Sequence, residues 1–337
     1  MRRPESMIEL ALRLVVLAAA GPALVAAQTP GGRTATGTLF PQPFVVEHLA
    51  IQTDGDGTTY YGDPVTDTYG GSWIVSERSD GSRLVVDLAR REVTEIRPDH
   101  GTYWTLSFSR LGSLRRRHLR IEEESFAGIA AARGKRAGGD EEAGEVEILF
   151  SERSPGDKAA VSGTPPELPE TARALLARDG VRRLLVSLGG PDKRPGGEPA
   201  LEVWLDPQVR LTAPALAALE RFENDVLRGS GGDKAAGPSP GNLTAAARAH
   251  AGGAFPIRTL RPIAAPGDAL ATFAGDARQA TMENVAIRLE LLDDFSPDLV
   301  RVPDGLRRAP NPLEGMLEFA ERELEREREM GRPVEER

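Results

Sequence analysis

The sequence predicts an α+β protein built on an antiparallel sheet, and three observations lead there. Pro64 to Phe108 reads as four short strands in a meander. Thr281 to Leu292 alternates Val285, Ile287, Leu289 and Leu291 with Ala286, Arg288 and Glu290, one face apolar and one polar. Elsewhere apolar residues recur at helical spacing, most clearly in Arg110 to Ala132 and Thr212 to Arg228.

The chain opens with Arg2 and Arg3, an apolar run from Leu14 to Ala20 and the small residues Val25-Ala26-Ala27 before Gln28. Residues 1–27 therefore read as a signal peptide, and Gly21-Pro22 breaks the run before it reaches the ~20 residues of a membrane span. The expected product is exported, periplasmic or secreted, and does not span the membrane after cleavage. The chain holds no cysteine, so neither a disulfide framework nor a lipid-bearing cysteine anchor is available and a soluble product is expected. The net charge is −9, and an acidic exported chain is a poor partner for nucleic acid. His48, His100, His118 and His250 are not paired at a ligand spacing, so no metal and no cofactor is expected.

Residues 28–43 are rich in Gly, Thr and Pro and read as a mobile leader, followed by a strand from Phe44 to Thr53. Asp54-Gly55-Asp56-Gly57 has the look of a calcium loop, but Val65 stands where a bidentate Glu is required, and a hairpin turn is the better reading. In the meander, Ser79-Asp80-Gly81-Ser82 and Pro98-Asp99-His100-Gly101 are turns. Trp73 and Val75 share one parity, as do Leu84, Val86 and Leu88, and Trp104, Leu106 and Phe108. The helix from Arg110 carries Arg115-Arg116-Arg117-His118-Leu119-Arg120, directly followed by Glu122-Glu123-Glu124, and reads as a solvated face.

Loop inserts follow near 133–145, 189–200 and 229–252, with strands at Val146 to Phe150, Arg182 to Leu188 and Leu201 to Leu205 and a short helix at Pro169 to Asp179 between them. Thr212 is the N-cap of the best-marked helix, which Gly229 ends. Phe255 to Pro262 and Asp268 to Ala274 read as strands. After the alternating strand and a closing segment, residues 309–337 form a charged helix that starts at Asn311-Pro312, with Leu313, Leu317, Ala320 and Leu324 as a narrow stripe.

The order of these elements, with the Trp-bearing strand Leu201-Glu202-Val203-Trp204-Leu205-Asp206, the Phe-Pro-Ile-Arg start at 255–258 and the closing Val-Pro-Asp-Gly-Leu at 302–306, resembles the LolA/LppX superfamily of periplasmic lipoprotein carriers, its uncharacterised exported branch in particular. The resemblance covers about residues 40–308 and implies a single domain over 44–308. It implies a curved antiparallel sheet, an incomplete β-barrel with helices packed across its concave side, holding acyl chains between the two. Carriers of this kind hold a lid closed with an arginine. That arginine has no assignable position among this chain's many arginines, so no gating or catalytic residue is carried over.

The leading functional expectation is a non-catalytic binding protein that shields a lipid, a lipoprotein acyl chain or another hydrophobic ligand, driven by apolar burial. Its expected lining is Trp73, Val75, Leu84, Val86, Leu88, Trp104, Leu106, Ile287 and Leu289. The alternative is an envelope structural or interaction protein with a filled core and a protein partner. An enzyme ranks third, because there is no Gly-x-Ser-x-Gly and no HExxH; Asp87 and Glu95 on adjacent strands read as surface charges beside Arg83 and Arg91.

Overall fold

The computed structural model describes residues 38–54, 57–132, 147–153, 167–189, 199–227, 240–262 and 281–330. The signal segment, the predicted loop at 133–145 and the predicted strand at Asp268 to Ala274 lie outside them.

The first half of the sheet comprises β1 (Phe40–Thr53), β2 (Thr59–Tyr61), β3 (Val65–Gly71), β4 (Trp73–Arg78), β5 (Arg83–Asp87), β6 (Glu92–Arg97) and β7 (Thr102–Ser107). The second half comprises β8 (Glu147–Arg153), β9 (Arg182–Gly189), β10 (Pro199–Arg210), β11 (Ala254–Pro262) and β12 (Thr281–Leu291), and β13 (Arg307–Arg308) returns to the first. The five α-helices among the described residues are α1 (Phe108–Ala132), α2 (Glu170–Leu176), α3 (Ala213–Phe222), α4 (Pro240–His250) and α5 (Pro312–Met330). A π turn, Glu223–Leu227, prolongs α3.

The strands form one curved, unclosed sheet in the order β13-β7-β6-β5-β4-β3-β1-β12-β11-β10-β9-β8, with β2 paired to the far end of β1. Every pairing is antiparallel except β13 on β7. β1 begins at Phe40, inside the predicted leader, because Phe40 is buried and its ring meets Phe44 and Tyr69 edge-on.

Opposed residues of paired strands point to one face, so the register assigns each side chain. Tyr69, Ile74, Val86, Val93 and Leu106 form one row across the meander, and Asp67, Ser76, Leu84, Glu95 and Trp104 the next. Both rows lie on the face that carries Phe44 and Val46, which is the concave face covered by helices. Leu216, Leu219 and Phe222 of α3, Val226 of the π turn, and Phe108 and Leu111 of α1 fill it, with Phe108 against Phe222 at 4.9 Å between ring centroids. Thr212 caps α3 as its sequence implies, accepting from the Ala215 amide, and its hydroxyl donates to the Leu39 carbonyl.

α4 lies within a stretch whose composition reads as an insert, and it covers the other half of the concave face. Leu243, Ala247 and Ala251 pack on Leu184, Val186, Leu201, Val203 and Leu205. Its alanines allow close approach to the sheet but give the sequence little apolar contrast.

The opposite face is also apolar at the meander. There Val75, Val85 and Ile96, with Trp73 and Tyr103, are covered by Phe295, Leu299, Val300, Val302 and Leu306 of the closing segment. Trp73 stacks on Phe295 at 5.8 Å, and Gly70 makes that contact possible, since a Cβ there would stand 2.2 Å from the Phe295 ring.

Candidate functional site

The structure divides the predicted lining into two groups. Leu84, Val86, Leu88, Trp104, Leu106 and Leu289 belong to the concave cluster. Trp73 and Val75 do not: β4 pairs Ile74 with Val86 and Val75 with Val85, so Ile74 faces the helices and its two neighbours face the closing segment. Ile287 is also displaced. β1 pairs Glu47 with Arg288 and His48 with Ala286, leaving Ile287 unopposed in a β-bulge. The parity of β12 switches there, and Ile287 packs instead with Leu49, Ile51, Val285, Leu168 and Ala172 of α2.

Space remains on the concave face at one end of the meander. A chamber of about 40 Å³ lies among Leu84, Val93, Trp104, Leu111 and Leu313, with Arg78, Ser82, Arg83, Glu95, Asn311 and Pro312 completing its wall, Arg83 donating to the Asp298 and Leu299 carbonyls. Three elements position these groups. The sheet supplies Leu84, Val93 and Trp104 from β5, β6 and β7, α1 supplies Leu111, and the first turn of α5 closes the space. Asn311 fixes that turn by accepting from the Leu313 amide at 2.8 Å. Glu95 is buried here, not exposed as its sequence context implies, and its Oε2 accepts from the Trp104 indole N–H at 2.6 Å. Asp87 points away, its Oδ1 accepting from the Ala89 and Arg90 amides in the next turn.

Outside the chamber lies a groove of about 360 Å³ walled by Trp104, Thr105, Leu106, Arg308, Ala309, Pro310, Asn311 and Glu314. Trp104 and Asn311 wall both spaces, so the groove adjoins the chamber.

The cover over this end is held from one side. Leu114 and Ile121 of α1 pack on Leu313 and Leu317 of α5. Arg110 pairs with Glu314 and Arg117 with Glu321, seven residues apart on both helices, so the two run parallel in a coiled-coil-like seam. The predicted basic run thus lies partly in an interhelical contact, with His118 buried and Arg120 also on Glu321. The Glu321 carboxyl is held below its usual range chiefly by the Arg117 hydrogen bond. Ion pairs this exposed contribute little, about 0–1 kcal/mol each.

The middle of the concave face is different. Phe44 stacks on Tyr69 at 4.4 Å, and both rings meet Phe255 edge-on. Beside them the Asp67 carboxylate accepts from Ser76 Oγ and lies 3.7 Å from His48 Nδ1; burial raises its pKa despite both contacts. Arg248 of α4 is fully buried over the Phe255 ring, its nitrogens make no hydrogen bond to a described residue, and burial lowers its pKa to about 10. A cavity of about 30 Å³, lined in part by His48, Tyr69, Phe255 and Asn284, lies where the bulges of β11 and β12 part the strands. Such a space holds about one water.

On the opposite face, Trp204 lies between the guanidinium groups of Arg183 and Arg258, which pair with Glu202 and Glu283. These charges neutralise one another. Among the described residues no three His, Asp or Glu side chains group closely enough for a metal, and no helix is long and apolar enough to cross a membrane. The hairpin reading of Asp54 holds, since its amide donates to the Thr58 carbonyl and its carbonyl accepts from Gly57. No family model and no curated protein matches the chain.

Val93, Glu95, Leu111 and Leu313 join Leu84 and Trp104 at the chamber, although none of the four was expected in the lining. Val93 and Glu95 had a signal: they sit at register positions opposite Val86 and Leu84 once the turn after Asp87 is counted correctly. Leu111 and Leu313 come from helices whose docking no local pattern specifies.

Proposed function

We propose that this protein is an exported, non-catalytic binding protein that shields an apolar chain between the concave face of its sheet and the α1–α5 pair. The observation that carries this reading is the chamber at Trp104: lined by Leu84, Val93, Leu111 and Leu313 with a few charged side chains in its wall, adjacent to an open groove, and closed by a helix turn that only a modest interface holds. As it stands the chamber admits little more than a methyl-sized end, so binding requires the first turn of α5 to move outward from Leu84 and Trp104. Each methylene then buried contributes about 0.8 kcal/mol. The order of elements that resembles the LolA/LppX carriers, and the signal-like first 27 residues, favour the same reading.

A second reading has its own support. Phe44, Tyr69, Phe108, Phe222 and Phe255 already fill the middle of the concave face, as expected of an envelope interaction protein with a complete core. Native mass spectrometry of the protein purified from its own envelope, followed by organic extraction, separates the two. A stoichiometric lipid or acylated protein supports the carrier; a clean apo mass with no uptake of an added fatty-acid probe favours the filled-core protein.

A further inference from the structure

The groove outside the chamber carries a charge that no other described residue pairs. Arg308, on the two-residue edge strand β13, lines it, is exposed, and makes no ion pair or hydrogen bond with a described residue. The acidic group that shares the groove, Glu314, is already taken: its Oε1 accepts from both Nε and Nη2 of Arg110, at 2.9 and 2.7 Å. The mouth therefore presents an uncommitted guanidinium beside a neutralised carboxylate. Behind it the way past Trp104 and Asn311 leads onto Leu84, Val93, Leu111 and Leu313. From outside to inside the surface passes from the cationic Arg308, through an indole and an amide, to the apolar Leu84, Val93, Leu111 and Leu313, with Arg78, Arg83 and Glu95 also in the inner wall.

We infer that the ligand is a single-chain amphiphile with an anionic headgroup, its carboxylate or phosphate on Arg308 in the groove and its chain running past Trp104 into the chamber. This rests on the binding-protein reading above and adds the headgroup to it. A guanidinium matches the planar oxygens of a carboxylate and the fork of a phosphate equally well, so either can be the source of the anion. The volumes are ordered as such a ligand needs them, about 360 Å³ for a hydrated head and about 40 Å³ for the first atoms of a chain. A neutral head gains at most an uncharged hydrogen bond from Arg308, and a cationic head is repelled by it. The narrow chamber opens for one chain at a time, which disfavours a two-chain lipid.

The test is titration calorimetry on the intact protein with four probes of one chain length, each below its micellar or solubility limit: dodecanoate, dodecyl phosphate, dodecanol and dodecyltrimethylammonium. At least one of the two anionic probes should bind about tenfold more tightly than dodecanol, and the cationic probe more weakly still. Arg308→Gln, an exposed change that leaves the core intact, should abolish that preference while leaving dodecanol binding unchanged. Whichever anionic probe binds better identifies carboxylate or phosphate as the source. Equal binding of all four probes, or an anionic preference that survives Arg308→Gln, overturns the headgroup assignment but leaves the apolar seat standing. Binding of none of them removes the seat, and with it both the headgroup assignment and the binding-protein reading.

Discussion

The middle of the concave face and its meander end are both covered by helices, yet they are covered in different ways. In the middle, α3 and α4 press on an aromatic cluster in which Phe44, Tyr69, Phe108, Phe222 and Phe255 are each at most 3% exposed. Close packing leaves there only a water-sized gap. At the meander end, α5 lies on α1 more than on the sheet, held by four well-buried aliphatic side chains and exposed ion pairs. The space between Trp104 and Leu313 is what that arrangement leaves. One region is closely packed; the other, on the function proposed above, is the part of the core that yields to a ligand.

This contrast is open to attack by substitution. Phe44→Ala removes a ring stacked on Tyr69 and should lower the unfolding free energy by about 3–5 kcal/mol, measured by denaturant titration. Leu84→Ala, at the edge of an existing space and only partly buried, should cost about 1–2 kcal/mol by the same measurement. Equal costs at the two positions would erase the distinction. Trp104→Phe keeps most of the apolar contact but withdraws the indole donor from buried Glu95, for an expected loss of about 1–3 kcal/mol.

The buried carboxylate in the middle provides a pH test. Burial raises the Asp67 pKa in the folded chain above its value in the unfolded chain, about 3.9 for an ordinary aspartate. The stability linked to its protonated form is therefore fully present below that value and is lost as pH rises through the folded one. Asp67→Asn has no such loss, so its Tm relative to the parent protein should become more favourable from pH 4 to pH 8. A difference that stays flat, or falls, over that range would mean that His48 and Ser76 compensate the charge in full. The smallest effect is expected at Arg117→Ala, under about 1 kcal/mol at low salt and less at high salt.

Much of this architecture is legible in the chain, for identifiable reasons. The strand at Trp104 to Ser107 alternates apolar and polar residues, so its concave-facing residues can be read directly. Trp73-Ile74-Val75 is apolar throughout because both faces of β4 are covered, and a continuous run carries no parity. Ile287 continues a perfect alternation on paper, and only the bulge opposite Glu47 and His48 turns it away. Glu95 reads as a surface charge because a strand pattern does not reveal that an indole donor will face it from β7. Arg248 sits in an alanine-rich helix bordered by Gly and Pro, where composition conceals that the side chain will be wholly buried. The chamber itself arises from the docking of two helices about 200 residues apart in sequence, an arrangement that no local period encodes.

The protein's three tryptophans make the central claim directly measurable, since Trp73 lies under the closing segment, Trp204 between two arginines, and Trp104 at the chamber. Three single-tryptophan proteins, made by paired Trp→Phe changes, would be titrated with a doxyl-labelled fatty acid whose nitroxide quenches indole fluorescence at short range. Saturable quenching of Trp104 alone, at one probe per chain, is the predicted result. Quenching of Trp73 or Trp204 to the same extent, or no saturable quenching of Trp104, would contradict a ligand seat between the concave face and α5.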